Sequence, residues 1–178
     1  AFWGAPIPIK ILYDFLDFYI ENGIPILIEE TKRTLQDLEQ HHILSCMFED
    51  FLPQYQFEHD SLTLAVREYF CNDPSVPFLH FNIYEYLMHH RNEEEPYWRN
   101  HDQSLLTYHA YASQADGWID CNFLYGKSFF DEMRYEEALT ILSRLSSSSA
   151  SLSGEQLLIM AMTLYHCGHY QQADELLS

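Results

Sequence analysis

The stretch "YGKSFFDEMRYEEALTIL", residues 125–142, corresponds position by position to "MAMTLYHCGHYQQADELL", residues 160–177. The two copies are 35 residues apart, and bulky residues coincide with bulky ones and small residues with small ones. The matched pairs are Gly126 and Ala161, Phe129 and Leu164, Tyr135 and Tyr170, Ala138 and Ala173, and Leu142 and Leu177. A repeat of this length predicts a pair of helical hairpins that stack on each other.

Small residues recur at the two positions of each copy where helices must approach closely. Gly126 and Ala161 lie in the first helix of each predicted hairpin, and Ala138 and Ala173 lie in the second. A small side chain at such a point lets the ridges of one helix settle into the grooves of the next. We expect the leucine that ends each copy to face the core of its hairpin.

The second copy also contains His166, Cys167 and His169, a grouping that suggests a metal site. Residues so close in sequence cannot alone complete a tetrahedral zinc shell. Gly168 falls between the two predicted helices and aligns with Met133 of the first copy. The sequence therefore predicts a turn at this point and no metal.

Both copies resemble the tetratricopeptide repeat, with a large–small pair in the first helix and Tyr-x-x-Ala in the second. The resemblance covers about residues 119–178, roughly the last third of the chain. The family's period is about 34 residues, so the extra residue is placed in the loop "LSSSSASLSG", residues 145–154, and the usual Pro at the end of a repeat is missing. The resemblance implies an all-α protein with a superhelix of helical hairpins.

The rest of the chain predicts helices of less regular pattern, without clear strand or hairpin signals. Helical stretches are expected over residues 9–23, 24–40, 41–52, 62–70 (capped by Asp60-Ser61) and 102–114, whereas 76–90 fits a helix or a strand and 91–100 a loop. We therefore divide the chain into an N-terminal helical region (1–95), a connecting segment with a helix (96–118) and two hairpins (119–178). The chain begins without Met and stops within a predicted helix, so we expect a fragment of a longer protein.

The charge of the chain restricts its partners. Twenty-seven acidic residues against nine basic ones give a formal net charge of −18, which repels nucleic acid and anionic membranes. No stretch is apolar enough to cross a membrane. Four widely spaced cysteines without a C-x-x-C pair favour reduced thiols in the cytoplasm. The charge favours basic protein partners, or it simply keeps the protein soluble.

The resemblance to the tetratricopeptide repeat also implies a binding surface, because in that family the first helix of each hairpin lines a concave groove. The corresponding positions here are Asp120, Phe123, Lys127, Phe130 and Asp131 in the first copy, and Glu155, Leu158, Met162, Tyr165 and His166 in the second. Aromatic, aliphatic and acidic side chains together suit an amphipathic or basic peptide or helix. The alternative is that some of these faces pack against the N-terminal helices instead. Only Lys127 could hold an acidic terminal carboxylate, so acidic chaperone tails are not expected ligands.

We expect a non-catalytic scaffold or adaptor, without cofactor, that binds a partner protein within a larger complex; homo-oligomerisation is compatible with this. One alternative is a small tetratricopeptide chaperone that holds a secreted or unfolded client. Another is a metal-dependent helical enzyme that uses histidines between His89 and His109, including His101. The chain contains no H-E-x-x-H zinc motif, phosphate-binding glycine loop or G-x-S-x-G nucleophile elbow, which argues against the enzyme.

Overall fold

Helices account for most of the chain that the computed structural model describes, namely residues 7–21, 28–49, 52–70, 72–90, 96–147 and 151–178. This confirms the predicted all-α class, with one small sheet as an exception. The chain divides into two units, Ala1–His109 and Ala110–Ser178. The division falls inside the segment 96–118, which the sequence assigns to a connection.

In its described residues the first unit contains four helices, three short strands and most of a fifth helix. The helices are α1 (Ile9–Glu21), α2 (Ile28–Gln40), α3 (Asp60–Tyr69), α4 (Ser75–His90) and α5 (Pro96–Ser113), and the strands are β1 (Ile7–Pro8), β2 (Leu44–Glu49) and β3 (Leu52–Phe57). The stretch 76–90, which fitted either a helix or a strand, is helical. Its apolar face packs against α1, where the ring of Tyr86 meets that of Phe15 edge-on at 5.4 Å. Tyr86 and Ile11 are almost fully buried.

The prediction of a helix over residues 41–52 is wrong, because most of this segment belongs to a β-hairpin. β2 pairs antiparallel with β3, with Leu44 opposite Phe57, and β1 pairs with the other edge of β3. Residues 53–57 alternate apolar and polar side chains, which is the period of a strand and not of a helix. The segment 41–52 contains all of β2 but only the first residue of β3. The alternation that indicates a strand begins at Pro53, outside this segment.

Three predicted boundaries also need correction. His59 and not Asp60 occupies the N-cap of α3, and no side chain caps this helix. Residues 96–100 form the start of α5 instead of a loop, as Pro at the first helical position permits, while 91–95 lie outside the described residues. Within the predicted connection 145–154, a 3-10 helix (Ser143–Ser147) extends the chain beyond the preceding helix.

The second unit consists chiefly of two helical hairpins at the predicted positions. The first joins α6 (Trp118–Asp131) to α7 (Tyr135–Leu142), and the second joins α8 (Gly154–His166) to α9 (Tyr170–Leu176). The second helices thus begin 35 residues apart, in register with the sequence repeat. At the start of α8 the Ser153 hydroxyl accepts from the backbone N–H of Gln156, and the Gln156 side chain accepts from the backbone N–H of Ser153. This capping box fixes where the second hairpin begins.

Close approach of the helices explains the repeated small residues. A Cβ atom added to Gly126 would lie 2.7 Å from Cγ and Cδ2 of Leu142, so α6 and α7 are too close for a larger residue. Ala138 and Ala173 are buried, as predicted. Leu142 faces the core, but the same prediction for Leu177 is wrong. Leu177 occupies the C-cap position beyond α9 and is 59% exposed.

The turn predicted at Gly168 is confirmed. Gly168 has φ of +83°, and its equivalent Met133 has φ of +61°, both in the left-handed region. The backbone hydrogen bonds repeat as well. The N–H of Arg134 donates to the carbonyl of Phe129, and the N–H of His169 donates to the carbonyl of Leu164, the equivalent of Phe129. The first helix of each hairpin therefore ends at a residue in the left-handed conformation. The residue after it donates its N–H to a carbonyl five positions earlier.

Candidate protein-binding surface

The predicted groove residues differ in their exposure. Leu158, Met162 and Tyr165 are exposed, as are the carboxylates Asp120, Asp131 and Glu155 and the ring of His166, whereas Lys127 and Phe130 are half-buried. Phe123 is only 6% exposed and belongs to the core of its unit. The exposed apolar residues of the predicted groove therefore lie chiefly on the second hairpin, and the prediction of Phe123 as a surface residue is wrong.

An apolar stripe runs along the exposed face of α8. Leu158, Met162 and Tyr165 are spaced by four and three residues, which places them on one side of the helix, and they are 49%, 40% and 61% exposed. On another face of α8, Met160 and Ala161 are buried at 4% and 2%. The helix is thus apolar toward the core and also apolar toward solvent along this stripe.

Aromatic rings extend the stripe at the turns of the hairpins. Phe130 and Tyr135 meet edge-on at 5.6 Å in the first hairpin, and their equivalents Tyr165 and Tyr170 do so at 4.9 Å in the second. The ring of His166 stacks on Tyr135 with centroids 4.1 Å apart and links the two pairs. Tyr135 and Tyr170 are not among the predicted groove residues, although their recurrence is visible in the sequence.

The cations of the second unit are all engaged. Between residues 110 and 178 there are three basic and nine acidic residues. Lys127 pairs with Asp131 at 3.0 Å, and Arg144 donates to the side-chain oxygen of Asn122 at 3.0 Å. Arg134 contacts two glutamates of the first hairpin at 3.1 and 3.3 Å. The surplus of carboxylates makes the surroundings of the stripe acidic.

Asp120 is held in place by a residue of the other hairpin. Its Oδ1 accepts a hydrogen bond of 3.2 Å from Nε2 of Gln156, whose side chain is buried. The oxygen of the same amide group takes part in the capping box of α8. Asp120 also lines a cleft of about 700 Å³ at the starting ends of α6 and α8, together with Asp116, Trp118 and Ser153.

A second concavity is lined by residues of α7, α8 and α9. This groove has a volume of about 430 Å³ and is lined mainly by apolar side chains: Leu139, Leu142, Met160, Leu164 and Leu176. Met160 and Leu164 come from α8 and share the groove with Leu142 of α7. Both hairpins therefore contribute apolar side chains to this groove.

Burial changes the pKa of one described histidine, His80, and of one described cysteine, Cys167. Nδ1 of His80 lies 2.8 Å from Nδ1 of His109, and both rings are buried; burial and the charge of Arg67 lower the pKa of His80 to about 4. Burial, with a smaller effect of Glu136, raises the pKa of the Cys167 thiol, which favours the neutral thiol over the reactive thiolate. The His80–His109 pair was missed because its members are 29 residues apart in sequence.

The histidines of the enzyme alternative are not brought together in the described part of the chain. His89 packs beside the ring of Phe18 at 5.6 Å, and the side chain of His101 lies outside the described residues. Among the residues that the structure describes, no group of three or more His, Cys, Asp or Glu side chains is placed to bind a metal ion.

Within the described ranges, none of the helices has the length and apolar character needed to cross a bilayer.

No family model matches the sequence, and neither the curated proteins nor the solved structures give a significant match.

Proposed function

We propose that this chain is a cytoplasmic, non-catalytic scaffold or adaptor, related to tetratricopeptide proteins, that binds a basic amphipathic helix or peptide of a partner within a larger complex. The observation that carries this proposal is the exposed stripe of Leu158, Met162 and Tyr165 on α8. The wide spacing of the four cysteines, without a C-x-x-C pair, supports a reducing compartment.

The stripe has the form of a helix- or peptide-binding site. Single exposed apolar residues are common on protein surfaces, but a contiguous row on one helix face marks an interaction site. Removing an aliphatic or aromatic side chain from water contributes about 1.5–3 kcal/mol when burial is complete. Three such side chains can anchor the apolar face of a partner helix, whose residues recur at the same spacing.

Charge selects among apolar partners. The second unit carries nine carboxylates against three cations, and these cations already contact Asp131, Glu132, Glu137 and Asn122. Lysines and arginines that flank the apolar face of a partner helix would lower this surplus of negative charge, whereas glutamates would raise it. Exposed charges of this kind act mainly on the association rate and on partner choice.

Two synthetic helices test the proposal. One carries leucines on one face and lysines on the other, and the second replaces every lysine with glutamate. We expect the Leu/Lys helix to bind the full chain in a fluorescence anisotropy titration, more weakly as salt increases, and the Leu/Glu helix not to bind.

Matched leucine variants locate the binding surface. Leu158→Asp places a charge in the stripe, and Leu64→Asp does so at an exposed position of α3, where the leucine is 59% exposed. After circular dichroism has shown both variants to be folded, we expect Leu158→Asp to weaken binding at least about tenfold, equivalent to about 1.4 kcal/mol. Leu64→Asp should leave it unchanged. Equal losses in both variants, or equal affinity for both helices, would overturn the proposal; broad binding of unfolded clients would then favour the chaperone.

A further inference from the structure

We propose that the outer edge of β2 is a second docking site, which takes an extended segment of a partner protein as an additional strand of the small sheet. The side chains of this segment alternate between apolar and basic. The site lies in the first unit and does not depend on the stripe of the proposed function.

The edge of β2 is open in the part of the chain that the structure describes. The strand order is β1-β3-β2, so β2 has one strand neighbour among the described residues. Within the same ranges, no turn or loop bonds to the backbone of residues 44–49 on the side away from β3. Such an edge presents a row of N–H and C=O groups to which a further strand can bond. The groups themselves therefore call for an extended backbone as their partner.

The register of the hairpin identifies the backbone groups that point outward. The N–H of Glu58 donates to the carbonyl of Ile43 at 3.0 Å, so these two residues at the end of the ladder form a hydrogen-bonded pair. Hydrogen-bonded and non-hydrogen-bonded pairs alternate along antiparallel strands, and every second residue counted from Ile43 therefore bonds to β3. The residues between them direct their N–H and C=O groups outward; these are Leu44, Cys46 and Phe48.

The sequence of β2 lacks the features that usually protect an edge strand. Its six residues, LSCMFE, include no proline, lysine or arginine, and these are the residues that commonly prevent edge-to-edge pairing. The opposite edge of the sheet differs, because β1 has two residues and one of them is Pro8. Strand addition is thus favoured at β2 and disfavoured at β1.

The two faces of the sheet offer different surroundings to the side chains of an added strand. Met47 is 50% exposed, whereas Leu44 on the other face is 8% exposed. Tyr55 shares the face of Leu44; burial raises the pKa of its hydroxyl, and Glu39 of α2 raises it further, so this carboxylate lies on the same side. An added strand would therefore place apolar residues beside Met47 and the alternate, basic residues on the side of Glu39.

The charge around β2 favours a basic segment over a second copy of the chain. Between residues 28 and 60 there are eight acidic and two basic residues, and one of these bases, Lys32, already bonds to Glu29 at 3.0 Å. Two copies that paired through β2 would bring their carboxylates together, which destabilises strand pairs. Lysines or arginines on an added strand would instead reduce this repulsion.

A synthetic strand tests the inference. The probe is a short fluorescent peptide in which lysine and valine alternate, and its control has the same side chains but a methyl group on every backbone nitrogen. Methylation removes the N–H donors on which strand pairing depends. In an anisotropy titration under reducing conditions, we expect the first peptide to bind the full chain and the methylated peptide to bind at least about tenfold more weakly.

Two substitutions of one residue locate the binding edge. Cys46→Pro removes an outward N–H but no bond to β3, and edge strands tolerate proline at such positions. Cys46→Ala is the matched control, because it removes the same thiol and keeps the N–H. After circular dichroism has shown both variants to be folded, we expect Cys46→Pro to weaken binding at least about threefold and Cys46→Ala to bind like the parent. The methylated peptide tests the same hydrogen bonds without any change in the protein.

The outcomes separate this site from the stripe. No binding of the lysine–valine peptide, equal binding of both peptides, or equal affinity of the two Cys46 variants would overturn strand addition at β2. Leu158→Asp should bind the peptide like the parent; a loss in this variant would place the peptide on α8, which overturns the second site and leaves the proposed function standing. Sedimentation showing a dimer that Cys46→Pro dissociates, but Cys46→Ala does not, would assign the edge to a second copy of the chain and contradict a partner segment.

Discussion

The imidazole ring of His166 lies flat against the phenol ring of Tyr135, with an interplanar angle of 6°. His166 ends α8 and Tyr135 begins α7, so the stack joins the two hairpins at their turns. In the second hairpin, Tyr170 has the position of Tyr135 but is 57% exposed. The same tyrosine thus serves as an internal contact in one copy and as a surface in the next.

The stack should contribute measurably to stability. We expect His166→Ala and Tyr135→Ala to show a coupling of about 0.5–1.5 kcal/mol in a double-mutant cycle, since offset or stacked rings typically contribute that much beyond area burial. The free energy of unfolding from urea titrations gives the value. His169→Ala, at an exposed position of the same turn, should show no coupling with Tyr135→Ala; similar coupling for both histidines would contradict a specific stack.

Gly126→Ala should destabilise the first hairpin. The new Cβ would lie 2.7 Å from the side chain of Leu142, which is buried and cannot move away freely. Overpacking of this kind costs about 1–3 kcal/mol, and the helix propensity gained by alanine offsets up to about 1 kcal/mol of it.

Gly154→Ala provides the matched control for this change. Gly154 begins α8, and a Cβ atom added to it would meet no neighbouring side chain or backbone within 4 Å. The free energy of unfolding should stay the same or rise slightly in this variant. If Gly126→Ala were as stable as Gly154→Ala in urea, the close approach of α6 and α7 would not be a constraint.

Removing a glycine from one turn and adding one to the other should have opposite effects on the free energy of unfolding. Gly168 and Met133 both have positive φ, +83° and +61°, a conformation that costs most residues about 1–2 kcal/mol. Gly168→Ala should therefore lower the free energy of unfolding by about 1 kcal/mol, and Met133→Gly should raise it by a similar amount. Thermal melts of both variants and the parent give the comparison; shifts in the same direction would contradict the turn geometry.

Acid should destabilise the first unit through His80. Burial, and then the charge of Arg67, lower the pKa of His80 from 6.5 to about 4 in the folded state. The unfolded chain therefore binds a proton below pH 6.5 that the folded chain does not bind until pH nears 4. The free energy of unfolding falls across this window by up to about 3 kcal/mol. The neighbours of the ring are Tyr108 and His109 on α5, and two cationic rings could not keep the 2.8 Å contact between their Nδ1 atoms.

Urea titrations between pH 7.5 and 4.5 measure this effect. His80→Gln should be less stable at neutral pH but should lose less stability toward pH 4.5 than the parent. His41→Gln changes an exposed histidine and should follow the parent curve. A His80→Gln curve parallel to that of the parent would show that another group carries the acid sensitivity.

The helices and turns of the second unit could be predicted more completely than those of the first, because the sequence pattern of the second unit occurs twice. Equivalence over 35 residues located both hairpins, both turns and the small residues at the crossings. The β-hairpin was missed because its strands are six residues each, and such short apolar runs fit a helix until their pairing is known. His80 and His109 meet only through the packing of α4 and α5, which no local pattern encodes.

Exposure was the property that the repeat did not predict. Phe123 and Leu158 are equivalent in sequence, yet Phe123 is 6% exposed and Leu158 is 49% exposed. Equivalent positions share backbone geometry, but their burial depends on which elements cover them. The exposed surface therefore follows only from the structure, and it includes Tyr170, which is not among the predicted groove residues.

Gln156 couples the start of the second hairpin to the first. Its amide group both completes the capping box of α8 with Ser153 and bonds to Asp120 of α6. The side chain that caps α8 is therefore also held by α6, so that the first hairpin serves as a template for the start of the second.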